Sequence, residues 1–268
     1  MRPLASTILL AAALASTLPS RAQDAEELDP GFGDRFLQTH TPTVNEKGLL
    51  EAVFQHRFLQ PVIRAGGNNL GGLDSGANIG LGVNYVPVRN LSVEAYRAST
   101  NADYEFALKY TFVRPTKKLP LGVGVRAGMD WMTKTEVEEN VGVFGQLLVS
   151  ATIGSRVTVA AAPTYVSNTV QFEDVWNVPL VLQVSLGKKW SATGEWVFAN
   201  GDLEGSVGQW SFALEKSVWR HRFGVWIGNG SGTTVDQQMA GDFGGGVTDS
   251  NIRLGFNIIR QFDIAVEQ

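Results

Sequence analysis

The chain has 268 residues, a hydrophobic fraction of 44%, 10% aromatics and a formal net charge of −4. No run reaches the roughly eighteen apolar residues of a spanning helix, which excludes an α-helical membrane protein but not a barrel of alternating strands. The mildly acidic balance argues against nucleic acid as a partner, and the absence of cysteine removes disulfides, thiolate metal sites and a lipid-anchored N-terminal cysteine.

Residues 1–22 read as a secretory signal peptide. Arg2 supplies the basic start, 8–18 the Ala/Leu-rich core, Pro19 the break, and Ser20-Arg21-Ala22 the small residues at cleavage spacing. Its removal takes away Arg2 and Arg21 and no acidic residue, so the net charge falls by two, to about −6. Residues 23–48 are polar, carry the run Asp24-Ala25-Glu26-Glu27, and read as a periplasmic N-terminal tail, with a plug or partner-binding arm as the other reading.

From 49 to the end the pattern has period two. The strands are expected at 49–59, 77–85, 91–98, 104–112, 121–131, 141–153, 157–165, 176–186 and 190–198. A hairpin anchored on 210–214 and 223–227, turning near 215–218, and a last strand from about 252 towards Phe262 complete the set. The stretch LGVGVRAGMDW at 121–131 is the clearest. Leu121, Val123, Val125, Ala127, Met129 and Trp131 share one face, and Gly122, Gly124, Arg126, Gly128 and Asp130 the other. Eleven residues is about what a tilted strand needs to cross a bilayer.

Connections alternate between tight turns and longer Asn/Gly/Asp/Thr-rich loops. The loop at 61–76 could fold inward and narrow the interior, whereas the longest, 229–247, reads as a mobile surface loop. The fold expected is an all-β, closed up-and-down antiparallel transmembrane barrel of about twelve strands, with ten to fourteen compatible with the spacing. Two features favour a membrane barrel over a soluble one. The polar phase is rich in glycine, which makes a poor solvated face but leaves room inside a crowded barrel. The apolar phase ends in aromatics at both levels: Tyr104, Trp131, Tyr165, Trp176, Phe198 and Trp210 at the long-loop end, and Tyr85, Phe112, Trp190, Trp219 and Phe262 at the short-turn end.

Three segments also carry a resemblance. His56-Arg57-Phe58, the stretch Gly72-Leu73-Asp74-Ser75-Gly76-Ala77-Asn78-Ile79, and Gly255-Phe256-Asn257-Ile258-Ile259-Arg260-Gln261-Phe262 resemble an uncharacterised family of bacterial outer-membrane β-barrel proteins, a domain of unknown function. The resemblance spans roughly residues 49–264 and implies the fold and the location, but no activity and no catalytic residue. The ending is also similar to the C-terminal sorting signal of bacterial barrels, although this chain runs six residues beyond Phe262.

Strand parity sends Glu51, Arg57, Glu94, Glu105, Lys109, Arg126, Asp130, Glu195, Glu215, Arg222 and Arg253 to the interior, as a pore lining or as charges that neutralise one another. Lys109 and Arg126 are expected to form an ion-pair lattice with Glu94 and Glu105. No catalytic residue is assigned: none of His40, His56 and His221 stands in a His-x-Ser pair that would put both residues on one strand face. No cofactor or metal is expected either, since there is no His-x-His or His-x-x-x-His pair and the glycine runs near 228–232 and 241–246 lack a phosphate loop's Lys-Ser/Thr ending. The expected function is a porin-like passive channel or transporter for small solutes, the alternative being a closed structural or docking barrel without conductance. The expected partners are outer-membrane lipid, the barrel-assembly machinery and small polar solutes.

Overall fold

The computed structural model describes residues 33–134, 140–171, 173–200, 203–242 and 251–264, so the expected signal segment lies outside it. The strands are β1 (Leu49–Phe58), β2 (Ala77–Val88), β3 (Leu91–Ala98), β4 (Asp103–Val113), β5 (Leu121–Met132) and β6 (Val141–Ile153). They continue as β7 (Val157–Ala161, resuming as Thr164–Val166) and β8 (Val175–Asn177, resuming as Leu180–Ser185). The last four are β9 (Trp190–Val197), β10 (Gln209–Val218), β11 (His221–Gly228) and β12 (Arg253–Asp263).

Every strand pairs antiparallel with its sequence neighbours, and β12 pairs with β1 from Leu49↔Asp263 to Arg57↔Gly255. The sheet is therefore a closed barrel of twelve strands. Closure leaves no edge, which is the condition for a sheet in hydrocarbon, where each unpaired backbone group costs several kcal/mol. The breaks in β7 and β8 fall side by side at Pro163 and Pro179, which have no N–H for the ladder. Their carbonyls still serve: Leu147 N donates to Pro163 O at 2.9 Å and Ala162 N to Pro179 O at 3.0 Å.

The hairpin expected to turn near 215–218 turns later. β10 runs to Val218, and the reversal falls at Trp219–Arg220 with Trp219 at φ +53°. The ladder holds Ser217 against Arg222 and Val218 against His221, so the strand continues until the chain physically reverses.

Burial alternates along the strands as the pleat requires. The outward phase is apolar and uncovered, including Leu81, Leu182, Val225 and Phe212. A continuous oily belt of this kind is far larger than a soluble monomer leaves open to water. All eleven girdle aromatics point outward, from Tyr85, Tyr104, Phe112, Trp131, Tyr165 and Trp176 to Trp190, Phe198, Trp210, Trp219 and Phe262. Trp176 and Trp219, the most protruding, sit at opposite ends, 74% and 78% exposed. Inward, glycine makes room for one large ring: a Cβ at Gly80 or Gly82 would collide with the buried Tyr96 of the adjacent strand.

The interior is mostly polar, with one apolar cluster, and is largely occupied. An eight-stranded barrel is filled by its own side chains and a sixteen-stranded porin leaves a water channel. Twelve strands lie between, and here two chain segments take up the remaining space. Of the 23–48 tail, residues 33–48 are described; Gly33 to Val44 are buried within the barrel, whereas Glu46 and Lys47 are exposed. From the other end the described part of the 229–247 loop folds inward. It carries α2 (Val235–Met239), all five of whose residues are buried. The expectation of a mobile surface loop is therefore corrected for residues 229–242, because Val235, Met239 and Ala240 pack with Phe144, Val166, Val175 and Val197 in an apolar cluster inside the barrel. The loop at 61–76, the one expected to turn inward, stays outside. Ile63 of its short α1 (Val62–Ala65), and Leu70 and Leu73 beyond that helix, are exposed.

Candidate functional site: a lumen filled from both ends

The N-terminal segment makes a tight reversal inside the barrel. Arg35 bridges to His40, Phe36 N donates to Thr39 O at 2.8 Å, and Thr41 N to Asp34 O at 3.0 Å. At the tip, three successive backbone N–H groups converge on one carboxylate. Leu37 N reaches Glu195 Oε1 at 2.9 Å, and Gln38 N and Thr39 N reach it at 3.2 Å each. Successive N–H groups pointing into one concavity form an anion-binding nest. In this barrel the wall supplies the anion and the plug supplies the nest.

Other wall residues hold the same segment by its carbonyls. Gln55 and Asn257 donate to Leu37 O at 2.8 and 3.2 Å, and Arg222 donates to Arg35 O and Phe36 O at 2.6 and 3.0 Å. Glu51 accepts from Asp34 N at 3.2 Å and Asn45 Nδ2 at 3.1 Å. Lys109 Nζ lies 3.0 Å from Asp34 O and 3.4 Å from Asp34 Oδ2. Despite this ion pair, the Asp34 carboxyl is pushed up to about 7: burial outweighs the nearby lysine, and Glu51 and Glu94 add to the rise. His40 moves the other way, well below its usual value, because it is buried and faces Arg126, Arg35 and Lys109. Its 3.7 Å approach to Glu94 is therefore that of a neutral imidazole.

The eleven residues assigned inward by parity are all buried in the lumen. They do not form one lattice. Arg126 holds Glu94 at 2.7 Å, Gln146 at 3.0 Å, and Glu105. Lys109, expected to join that cluster, pairs instead with Asp34 of the plug. Arg222 pairs with Glu215 at 3.3 Å, and Thr193 donates to Glu215 at 2.9 Å. Arg57 stacks over Trp226, its guanidinium carbon 4.5 Å from the ring centre. Arg253 donates to Leu59 O at 3.0 Å, approaches Asp242 at 3.4 Å, and also reaches Asn229 O. Asp130 has no partner for either oxygen.

Of the histidines, His56 faces outward, stacked on Phe256 at 5.0 Å, and His221 stacks on Phe223 at 5.7 Å. Trp226 and Tyr96 were missed as interior residues, although both fall on the inward parity of their strands. The facing glycines Gly80 and Gly82 were the available signal for Tyr96. Asp34, His40 and Asp236 carried no strand signal at all, since they lie in segments without alternation.

The loop from the far end is anchored just as specifically. Val235 N donates to Glu105 Oε2 at 2.8 Å, Asn78 Nδ2 to Ser231 O and Gln237 Oε1 at 2.9 Å each, and Asn177 Nδ2 to Met239 O at 3.4 Å. Plug and loop meet where Gln38 Nε2 donates to Gly232 O at 3.1 Å. At the short-turn end the lumen widens into a vestibule of about 840 Å³. Seven basic residues line it, among them Lys47, Arg114, Arg156, Lys188 and Lys189, against the acidic Glu46 and Asp263.

An oily outside, a closed ladder and a polar bore define a membrane-bound β-barrel whose interior is occupied by its own chain. The chain belongs to the family described as "Membrane bound beta barrel domain (DUF5777)", which matches residues 32–262. Among curated proteins, none matches it by sequence. Solved structures with a similar fold include an outer membrane channel from Pseudomonas putida F1, 10% identical, covering 82% of this chain and 97% of that one, with a TM-score of 0.50. The NanC porin is 8% identical, with 80% and 98% covered and a TM-score of 0.45. An active-site mutant of outer membrane phospholipase A from Escherichia coli is 10% identical, with 87% and 95% covered and a TM-score of 0.46. At such identities the likeness concerns the fold.

Proposed function

We propose that the protein is a gated channel for small anionic solutes in the bacterial outer membrane, exported there by its N-terminal signal and held here in a closed state. One observation carries this reading: two tethered chain segments, residues 33–44 and 229–242, lie buried inside the bore. The plug is held by hydrogen bonds and one ion pair, in a polar setting where water can replace each contact. The wall beneath it is charged, as a solute path requires. The basic vestibule at the short-turn end, periplasmic in this reading, favours anions. The 3-residue nest at Leu37, Gln38 and Thr39 supports the same polarity, because a solute carboxylate or phosphate can compete with Glu195 for it.

The test is planar-bilayer conductance of the full mature chain beside a variant lacking both blocking segments, residues 23–44 and 231–241. The mature chain is expected to stay closed with rare openings. The deletion variant is expected to conduct in steps, with a reversal potential favouring anions. A deletion variant that folds and inserts but never conducts overturns the reading. It would leave the closed structural barrel, to which the buried Arg126–Glu94–Glu105 cluster is equally suited.

A further inference from the structure

At the long-loop end, three carboxylates from separate parts of the chain converge inside the barrel. Asp103 opens β4, Asp130 lies near the end of β5, and Asp236 belongs to α2 of the inward-folded loop. All three are wholly buried, and one oxygen from each lies within 4.8 Å of one from each of the others. Asp103 and Asp236 are knit together by Thr234, whose Oγ1 stands 2.7 Å from Asp103 Oδ2 and 2.6 Å from Asp236 Oδ1. A hydroxyl has one proton and can donate to only one of them. Gln237 Nε2 adds a donor to Asp103 Oδ2 at 3.1 Å.

Asp130 provides the independent mark. It enters this pair from the adjacent strand, fully buried, with neither oxygen hydrogen-bonded. Asp103 Oδ1 and Asp236 Oδ2 are unpartnered as well. No cation of the chain meets them among the described residues. Arg126, four residues before Asp130 on the same face, is committed to Glu94, Glu105 and Gln146. In the sequence, 135–139 and 243–250 contain no Lys, Arg or His. Buried charge is costly unless it is paired or metal-bound, and four carboxylate oxygens of this cluster have no hydrogen-bond donor.

We propose that Asp103, Asp130 and Asp236 form a site for one divalent cation, calcium in preference to magnesium, that clamps the inward-folded loop to the barrel wall. Carboxylate and hydroxyl oxygens are hard ligands suited to these two ions. Calcium binds oxygen at about 2.3–2.6 Å, so ligands on opposite sides of it stand roughly 5 Å apart, whereas magnesium at about 2.0–2.1 Å demands closer spacing. Two of the carboxylates belong to the wall and one to the loop, so the ion closes the joint that Val235 N and Thr234 already make with Glu105 and Asp103.

The experiment uses the full mature chain refolded in detergent, stripped with chelator and titrated with calcium or magnesium, read by calorimetry and by melting temperature. The expected result is one calcium per chain, a raised melting temperature, and at least tenfold weaker magnesium. Asp130→Asn keeps the volume and removes one charge. It is expected to bind calcium at least tenfold more weakly and, in chelator, to melt above chelator-treated wild type. A carboxylate with a merely structural role would not produce that inversion. Because the chain has no cysteine, Gln238→Cys reports on the loop, and its maleimide labelling is expected to slow when calcium is added. If Asp130→Asn does not fold, Asp236→Asn, on the loop and not the wall, carries the same comparisons.

Three outcomes overturn the proposal. The first is no binding at about 10 mM calcium, above the roughly 10⁻³ M of the weakest extracellular sites. The second is equal binding by wild type and Asp130→Asn. The third is a melting temperature indifferent to both calcium and the substitution, which assigns neutralisation to protons. None of these readouts is a conductance, so the cation site is judged separately from the channel.

Discussion

Replacing Glu195 by alanine removes the anion that three plug amides share, at Leu37, Gln38 and Thr39. A buried donor that loses its partner costs about 1–3 kcal/mol. Water can enter the space left by the side chain, so the lower figure applies to each, and docking weakens by about 3 kcal/mol in total. At 1.4 kcal/mol per tenfold, the undocked fraction rises roughly a hundredfold. Thr39 is buried at the tip, and the chain has no native cysteine to confuse a thiol probe. The assay is therefore the maleimide-labelling rate of Thr39→Cys with and without Glu195→Ala in refolded protein. A rate increase of about a hundredfold is expected, with Glu195→Gln, which keeps acceptor oxygen at the nest, falling well short of it. Equal labelling rates in the two backgrounds would refute the idea that Glu195 latches the plug.

Two further predictions concern charge. Arg126→Glu sets a third carboxylate against Glu94 and Glu105 where a guanidinium now bridges them; a loss of at least about 3–5 kcal/mol is expected. Unfolding in urea measures it, and a variant as stable as wild type contradicts the assignment. Docking of the plug also depends on pH through Asp34. Its folded value of about 7 lies above its ordinary 3.8, so its contribution is full below 3.8 and is lost as pH rises through about 7. A shift of about three units sets an upper limit near 4 kcal/mol. Labelling of Thr39→Cys is expected to accelerate across that window, and Asp34→Asn to flatten the profile.

Much of the wall is legible in the sequence. A pleat places successive side chains on opposite faces, so one parity established that Glu51, Arg57, Lys109, Arg126 and Asp130 point inward and Leu81, Phe106 and Leu182 outward. The strand 141–153 was read to the residue. Where the reading slipped, alternation had stopped carrying information. The β10–β11 reversal lacks a Gly or Pro signal, and the breaks in β7 and β8 keep parity across their prolines.

The contents of the barrel were decided by tertiary structure alone. Residues 33–44 and 229–242 have no period, because they are bound not by a repeating ladder but by single contacts to side chains distant in sequence: Leu37 to Glu195, Val235 to Glu105, Asn78 to Ser231. The Asp103–Asp130–Asp236 cluster is another such product, with spacings that match no ligand motif. Sequence determined which face of each strand meets hydrocarbon, since that depends only on the neighbour two residues away. What fills the bore depended on closing twelve strands into one circumference and finding which segments could satisfy the polar groups inside it.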